Sequence, residues 1–268
     1  MTRADKSMTA LVSNNADIAL MGTEAGIYVY NEGKEDHAVS FLQLTQRAGN
    51  FLVSREKEEN FKWADVKGKT IIGGRSGGMP QMILEYILKK NDIELGVDVE
   101  LITNLQFTST AGAFAAGEGD YTAEFDPSAY SLEKEGHGYV VASMGVDSGK
   151  VPYTVYMATK SYMAKNPGTI QKFTNAIYKG QLWVDEHTSK EIAEVIAAQF
   201  PDMELDDLTF IIERYKAQDT WKNNPVFEKE GLDLIQDIMD LSGELSARVP
   251  YEDLVNTEFA TKAMETVK

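Results

Sequence analysis

Three observations in the sequence predict an α/β fold. Through the first 157 residues, short β-type runs alternate with segments whose apolar residues repeat at helical spacing. One β-type run, which begins at Thr70, leads through a glycine-rich loop into an amphipathic helix over residues 79–88. Beyond Met157 the chain is almost entirely helical. With 268 residues, of which 43% are hydrophobic, the chain can form two lobes that each have a core.

The first predicted strand covers residues 17–21 and follows a short helix over 7–13. Thr23 and Glu24 come directly after that strand. Because open α/β sheets bind ligands where their strands end, both residues are candidate ligand contacts. The alternative for Thr23 is that it only caps the helix that starts at Glu24.

Two further strands are predicted over 38–44 and 50–54, with a polar loop between them. Gln46 in this loop is a candidate ligand contact because its amide can reach into a cleft. Arg47 either holds an acidic group or lies free on the surface.

The glycine-rich loop at 73–78 is predicted to hold a ligand. Its glycines let the backbone turn sharply and approach a bound group, and the first N–H groups of the following helix favour an anion. The Arg75 side chain would add a charged donor. The candidate ligand contacts here are Arg75, Ser76, Gly77, Gly78 and Met79.

The same loop also fits G-x-S-x-G, the nucleophile elbow of hydrolases, with Ser76 as the nucleophile. A serine nucleophile needs a histidine base that a carboxylate orients. The chain has three histidines: His37 and His137 lie in polar runs typical of solvated turns, and His187 lies beside a helix start. A serine hydrolase is therefore the alternative function, and a loop that only holds a ligand is favoured.

The next candidates follow a strand predicted over 120–125, which comes after a strand over 97–102 and a short helix over 108–116. They are Glu124, Phe125 and Asp126. Two carboxyl groups beside an aromatic ring suit acid–base chemistry, but ligand contact, or capping of a helix that begins near Pro127, is the preferred interpretation.

The remaining helices carry apolar stripes typical of packing against a core. One of them begins with a capping box at Thr188 and Glu191. No catalytic motif lies among these helices, so they are interpreted as structural.

Composition excludes several classes of function. The chain has 42 acidic and 26 basic residues, a net charge of -16, which argues against nucleic acid as a partner. It has no cysteine, so disulfides, zinc–thiolate sites, iron–sulfur clusters and thiol catalysis are excluded. We expect no cofactor and no metal. The sequence contains no apolar run of about 18 residues, the length that predicts a membrane-spanning helix.

Five segments, in order, resemble the nitrate, sulfonate, taurine and pyrimidine-precursor group of ABC-importer substrate-binding proteins. They are residues 8–22, 65–71, the glycine-rich loop, 115–121 and 165–167. The resemblance covers nearly the whole chain. It implies a two-lobed, type II periplasmic-binding-protein fold whose lobes close on a small ligand by a hinge motion.

The resemblance further implies that residues 1–54 and 150–268 form one lobe and 55–149 the other, with a helical C-terminal half. The protein would be the solute-binding component of an importer outside the cytoplasm, would not be an enzyme, and would have permease subunits in the membrane as partners. Its ligand would be either a sulfonate- or taurine-like anion or a pyrimidine-like heterocycle.

One departure from the family concerns the start of the chain. Family members normally have a strand, a helix and a second strand before the segment that matches Met8, and a signal peptide before those; the polar run at residues 1–7 has no such features. On this basis we expect a removed signal or a shortened chain, with an incomplete pocket and an uncovered sheet edge.

Overall fold

A computed structural model describes residues 3–267. The β-strands are β1 (Ala19–Gly22), β2 (Ala38–Thr45), β3 (Asn50–Ser54), β4 (Thr70–Ile72), β5 (Glu100–Ile102), β6 (Tyr121–Phe125), β7 (Tyr139–Ser143) and β8 (Thr154–Thr159). The first six helices are α1 (Arg3–Val12), α2 (Thr23–Asn31), α3 (Met79–Lys90), α4 (Phe107–Ala115), α5 (Ser128–Lys134) and α6 (Met144–Ser148). The others are α7 (Lys160–Lys165), α8 (Pro167–Glu186), α9 (Ser189–Ile196), α10 (Leu205–Ala217), α11 (Lys229–Leu241), α12 (Tyr251–Leu254) and α13 (Glu258–Thr266).

The described chain divides into two compact units. The first unit contains the chain up to Gln46 and again from Val151 onward, and the second contains Arg47–Lys150. The sequence-based division placed residues 47–54 in the first lobe. In the structure they group with the second unit, because β3 pairs with β6 on one side and with β7 on the other.

The first unit contains a three-stranded antiparallel sheet in the order β1-β8-β2. Helices α7, α8 and α13 pack against β2 and β8 around a core cluster. Its buried members are Val39, Phe41, Leu42, Ala158, Met163, Ile170 and Phe259. A second cluster joins α9 to α10 through Ile192, Ala193, Leu208 and Ile212. The helical character predicted for the C-terminal part is confirmed.

The second unit contains a five-stranded mixed sheet in the order β5-β4-β6-β3-β7. Strands β5, β4 and β6 are parallel, and β3 runs antiparallel between β6 and β7. Strand β7 was not predicted from the sequence. The parallel strands all end at the same edge of the sheet as the start of β3, because Asn50 pairs with Phe125. The α/β fold predicted from the sequence is confirmed.

Candidate functional site

In the first unit, the strands β1, β8 and β2 meet at one position of the sheet. Gly22 and Thr45 both lie opposite Thr154, on its two sides. The hydroxyl groups of Thr45 and Thr154 are 2.6 Å apart, and the Thr154 N–H donates to the Thr45 hydroxyl at 3.0 Å. This register brings the residues after β1, at the end of β2 and before β8 to one edge of the sheet.

Thr23 lies at this edge and is fully buried. Its hydroxyl donates a hydrogen bond of 2.6 Å to the carbonyl oxygen of Pro152. Helix α2 begins at Thr23 itself, and its N-cap residue is Gly22, with no side-chain cap. The interpretation of Thr23 as a helix cap is therefore wrong, because its hydroxyl joins the start of α2 to the start of β8. Contact between Thr23 and a ligand stays a prediction.

Glu24 carries a buried carboxylate, and the residue is 6% exposed. Its side chain folds back over Gly22, so that a Cβ atom built on Gly22 would lie 2.0 Å from Glu24 Oε2. Glycine at position 22 thus leaves the space that the carboxylate occupies.

Tyr153 is a buried neighbour of Glu24 that the sequence analysis missed. Its burial raises the pKa of the phenol well above its usual value, and the negative charge of Glu24 raises it further. The position of Tyr153 just before β8 was the only signal in the sequence that could have made it a candidate. The sequence does not show that β8 pairs with β1, so it does not bring Tyr153 close to Glu24. The first unit therefore presents a buried carboxylate next to a neutral phenol.

Gln46 lies at the same edge, but its side chain is bound to the chain itself. The amide Nε2 donates to Asp219 Oδ1 at 2.8 Å, and the backbone N–H of Gln46 donates to the carbonyl oxygen of Thr220 at 2.8 Å. In the structure Gln46 anchors the loop that follows α10. Its role as a ligand contact stays a prediction.

In the second unit, the glycine-rich loop leaves β4 at the carboxyl edge of the sheet. Arg75 forms a backbone bridge with Asn104, and the Ser76 N–H donates to the Thr103 carbonyl at 3.1 Å. Gly74, with φ of 87°, lies so close to the Phe107 ring that a Cβ atom would be 2.6 Å from it. The rings of Phe107 and Phe125 are 5.4 Å apart. These contacts place residues 73–78 beside the end of β6.

The backbone N–H groups expected to bind an anion have partners in the loop itself and in α3. The Gly77 N–H donates to the side-chain oxygen of Gln81 at 3.1 Å, and the Gly78 N–H points to the Arg75 carbonyl at 3.4 Å. Met79 is 2% exposed and belongs to the core, whereas Ser76 is exposed. The loop shape agrees with the prediction, but the donors it offers are fewer than expected.

Glu124 is the most buried acidic residue at this edge, with 1% of its surface exposed. Its Oε1 accepts a hydrogen bond of 2.8 Å from the Thr122 hydroxyl. Burial raises the pKa of the Glu124 carboxyl group to about 7, and hydrogen bonds from Thr110 and Thr122 offset only part of this effect. Glu124 can therefore exchange a proton near neutral pH.

Asp126 lies two residues after Glu124, and its Oδ1 accepts a hydrogen bond of 2.9 Å from the Tyr130 N–H. This bond satisfies a donor in the first turn of α5, as the capping alternative predicted. Ligand contact by Asp126 stays a prediction.

The family profile described as "NMT1/THI5 like" matches residues 2–190. The chain belongs to the NMT1/THI5-like family. A curated relative, "Putative binding protein YtlA" of Bacillus subtilis (strain 168), is 49% identical over 258 residues, which are 96% of this chain and 77% of the relative. The resemblance drawn from the sequence is thereby confirmed.

Solved structures share the fold of this NMT1/THI5-like protein. The periplasmic aliphatic sulphonate binding protein SsuA from Escherichia coli aligns over 93% of this chain and 83% of its own, with a TM-score of 0.73 and 19% identity. A mutant of DSZB, in complex with biphenyl-2-sulfinic acid, aligns over 96% and 88%, with a TM-score of 0.69 and 14% identity. Another structure of DSZB is described as a desulfurization enzyme. At these identities the likeness concerns the fold, which serves binding proteins and enzymes alike.

The structure of the NMT1/THI5-like protein gives the hydrolase alternative no support. Ser76 does follow a strand and precede a helix, as the elbow motif requires. His137 lies before β7, at the opposite edge of the sheet, and its Nε2 is 3.6 Å from a carboxyl oxygen of Glu135. His187 stacks on Trp183 with 4.1 Å between ring centroids. His37 was expected in a solvated turn, but the structure buries it. Its ring nitrogens lie 2.9 and 3.2 Å from two backbone carbonyl oxygens, which leaves neither nitrogen free to act as a base.

The described residues contain neither a candidate metal-binding cluster nor a candidate membrane-spanning helix. Residues 3–267 hold no group of three or more histidine, cysteine, aspartate or glutamate residues arranged to bind a metal ion. Within the same range, no helix has the length and apolar character to cross a membrane.

Proposed function

We propose that this chain is the solute-binding component of an ABC importer, and that its solute is a small pyrimidine-like heterocycle with hydrogen-bond donors. The binding role rests on the family and on the name of the B. subtilis relative. The location outside the cytoplasm rests on the name of the periplasmic SsuA protein, whose fold is similar. The importer role and a permease partner in the membrane rest on the family resemblance drawn from the sequence.

The buried carboxyl group of Glu124 carries the proposal about the ligand. It lies at the carboxyl edge of the second sheet, where open α/β sheets bind ligands, and no cation of residues 3–267 forms an ion pair with it. Glu24 is a second buried carboxylate, and it lies just after the end of β1 in the first sheet. Buried carboxylates repel a sulfonate but accept hydrogen bonds from ring and amino N–H groups.

The proposed ligand contacts in the first unit are Thr23, Glu24 and Gln46. Those in the second unit are Arg75, Ser76, Gly77, Gly78, Met79, Glu124, Phe125 and Asp126. The Phe107 and Phe125 rings would supply an apolar surface for a flat heterocycle.

A sulfonate- or taurine-like anion is the second candidate ligand. Arg75 favours it, because a guanidinium group binds sulfonate and carboxylate oxygens well. The E. coli neighbour binds aliphatic sulphonates according to its name.

Isothermal titration calorimetry with 4-aminopyrimidine, taurine, an alkanesulfonate and nitrate tests the proposal. We expect binding of the aminopyrimidine, with affinity lost in Glu124→Gln and kept in the exposed control Glu118→Gln. A ligand at about 100 times its dissociation constant adds about 2.7 kcal/mol to the free energy of unfolding, so melting curves give an independent readout. Binding of sulfonates alone would refute the ligand class and leave the binding role in place.

A solute-binding protein also returns its ligand unchanged. Mass spectrometry after a long incubation is expected to recover the bound compound intact. Conversion of the compound would contradict the binding role and favour an enzyme, as in the structurally similar DSZB.

A further inference from the structure

Asn50 is a buried polar residue whose amide group has no hydrogen-bond partner. The residue has no exposed surface, and neither Oδ1 nor Nδ2 bonds to any atom of residues 3–267. Burying an amide without partners costs free energy, and most buried polar side chains in proteins are hydrogen-bonded. Such a group calls for a partner that the described part of the chain does not provide.

The position of Asn50 links it to the proposed ligand edge of the second unit. Asn50 is the first residue of β3 and lies directly opposite Phe125, the last residue of β6. Phe51 lies opposite Glu124, so the side chains of Asn50 and Glu124 leave the sheet on opposite faces. The two side chains thus flank the end of the same strand pair.

Arg47, three residues earlier, leaves a second donor without a partner. Its Nη1 donates to the Gly145 carbonyl at 2.8 Å, which fixes the guanidinium group beside the start of α6. Its Nε is buried and bonds to no atom of the described chain. The segment 47–50 therefore offers a solute the Arg47 Nε–H donor, in addition to the amide donor and the amide acceptor of Asn50.

We propose that Asn50 is a specificity-determining residue that binds the solute through an adjacent donor and acceptor, such as an amino group next to a ring nitrogen. This inference rests on the proposed function and deepens it. An amide presents a donor and an acceptor side by side, as when asparagine binds the edge of adenine. A sulfonate offers only acceptors and would leave Oδ1 of Asn50 unpaired. Arg47 Nε would add a further donor to an acceptor of the solute.

The inference predicts opposite effects of one substitution on stability and on binding. Asn50→Leu removes a buried amide without partners, so we expect the ligand-free protein to melt at the same temperature as the wild type or higher. The same substitution should weaken 4-aminopyrimidine binding by about ten- to a hundredfold, because it removes both the donor and the acceptor. Asn50→Ala provides a second variant in case leucine does not fit.

Calorimetry and melting curves on the full chain measure both effects. Asn60→Leu, at an exposed asparagine of the same unit, is the matched control and should change neither. Unchanged affinity in both Asn50 variants, with a wild type that binds, would overturn the inference and leave the proposed function intact. A large loss of stability in both ligand-free variants would also overturn it, since Asn50 would then be structural. A wild type that binds no heterocycle would refute the proposed ligand class itself.

Discussion

The hydroxyl of Thr122 donates a 2.8 Å hydrogen bond to the carboxyl group of Glu124, two residues later in the same buried strand. Side chains two apart in a strand share one face of the sheet, which explains why they meet. The carboxyl group is thus held by hydroxyl groups rather than by a cation, and its burial raises its pKa to about 7.

The raised pKa of Glu124 makes the stability of the protein depend on pH. The folded state holds this proton more tightly than the unfolded chain, so the stabilisation is complete below about pH 4.5 and is lost as pH rises through about 7. The shift from 4.5 to about 7 corresponds to at most about 3.5 kcal/mol. Glu124→Gln should therefore gain stability relative to the wild type between pH 4 and pH 8, as measured by urea unfolding.

The control for this experiment is Glu118→Gln, which changes an exposed residue of the same unit. Glu118→Gln removes one negative charge, as Glu124→Gln does, but from an exposed side chain. A stability difference between Glu124→Gln and the wild type that stays constant from pH 4 to pH 8 would show that Glu124 titrates as an ordinary carboxyl group.

Gly22→Ala should destabilise the protein through Glu24. The new Cβ atom would lie 2.0 Å from the carboxylate oxygen, so the end of the Glu24 side chain must move away. Because Glu24 is buried, we expect this shift to cost about 1 kcal/mol. The backbone itself adds no penalty, because φ of Gly22 is -69°. In a Glu24→Ala background most of the cost should disappear, and a double-mutant cycle of unfolding free energies measures this coupling.

Gly180→Ala is the matched control, since a Cβ atom at Gly180 in α8 meets nothing within 4 Å. This change should stabilise the protein by about 0.5 to 1 kcal/mol. Equal costs of Gly22→Ala with and without Glu24 would disprove that the carboxylate occupies this space.

Thr23→Val tests the bond between the start of α2 and the start of β8. The substitution keeps the shape and leaves the Pro152 carbonyl oxygen without its 2.6 Å donor, so we expect a loss of about 1 to 3 kcal/mol in thermal or urea unfolding. Thr108→Val, at an exposed threonine, should stay within about 0.5 kcal/mol of the wild type. Equal stability of the two variants would count against a structural role of the Thr23 hydroxyl.

Arg75→Ala separates the two candidate ligand classes. An anionic ligand should lose about 1.5 to 3 kcal/mol of binding free energy, because a charge-assisted hydrogen bond disappears. The heterocycle proposed here carries no negative charge, so it should lose only a hydrogen bond to a neutral acceptor, about 0.5 to 1.5 kcal/mol. Calorimetry on Arg75→Ala and on the exposed control Lys69→Ala measures both losses; a loss for 4-aminopyrimidine larger than that for taurine would contradict this assignment of Arg75.

Local sequence patterns predicted most of the elements but not their pairing. The strand over 50–54 was predicted with its observed bounds, because a compact run of β-formers lies between polar segments. Strand β7 was missed, since the run Tyr139–Ser143 has no turn signal that separates it from α6. The burial of His37 was also missed, because its polar neighbours in sequence do not reveal the carbonyl oxygens that its ring meets in the fold.

By itself, the sequence determined the α/β class, the family resemblance, the strand–loop–helix arrangement around Arg75 and the absence of thiol chemistry. These follow from residue type and short-range spacing, which the sequence displays directly. Only the tertiary structure decided that Thr23 bonds to Pro152, that Tyr153 lies near Glu24 and that Gln81 accepts the Gly77 N–H. It also decided that Asn50 is buried with no hydrogen-bond partner among residues 3–267. Burial and long-range hydrogen bonding depend on which segments meet in space. Strand pairing brings these segments together, and local sequence patterns do not show which strands pair.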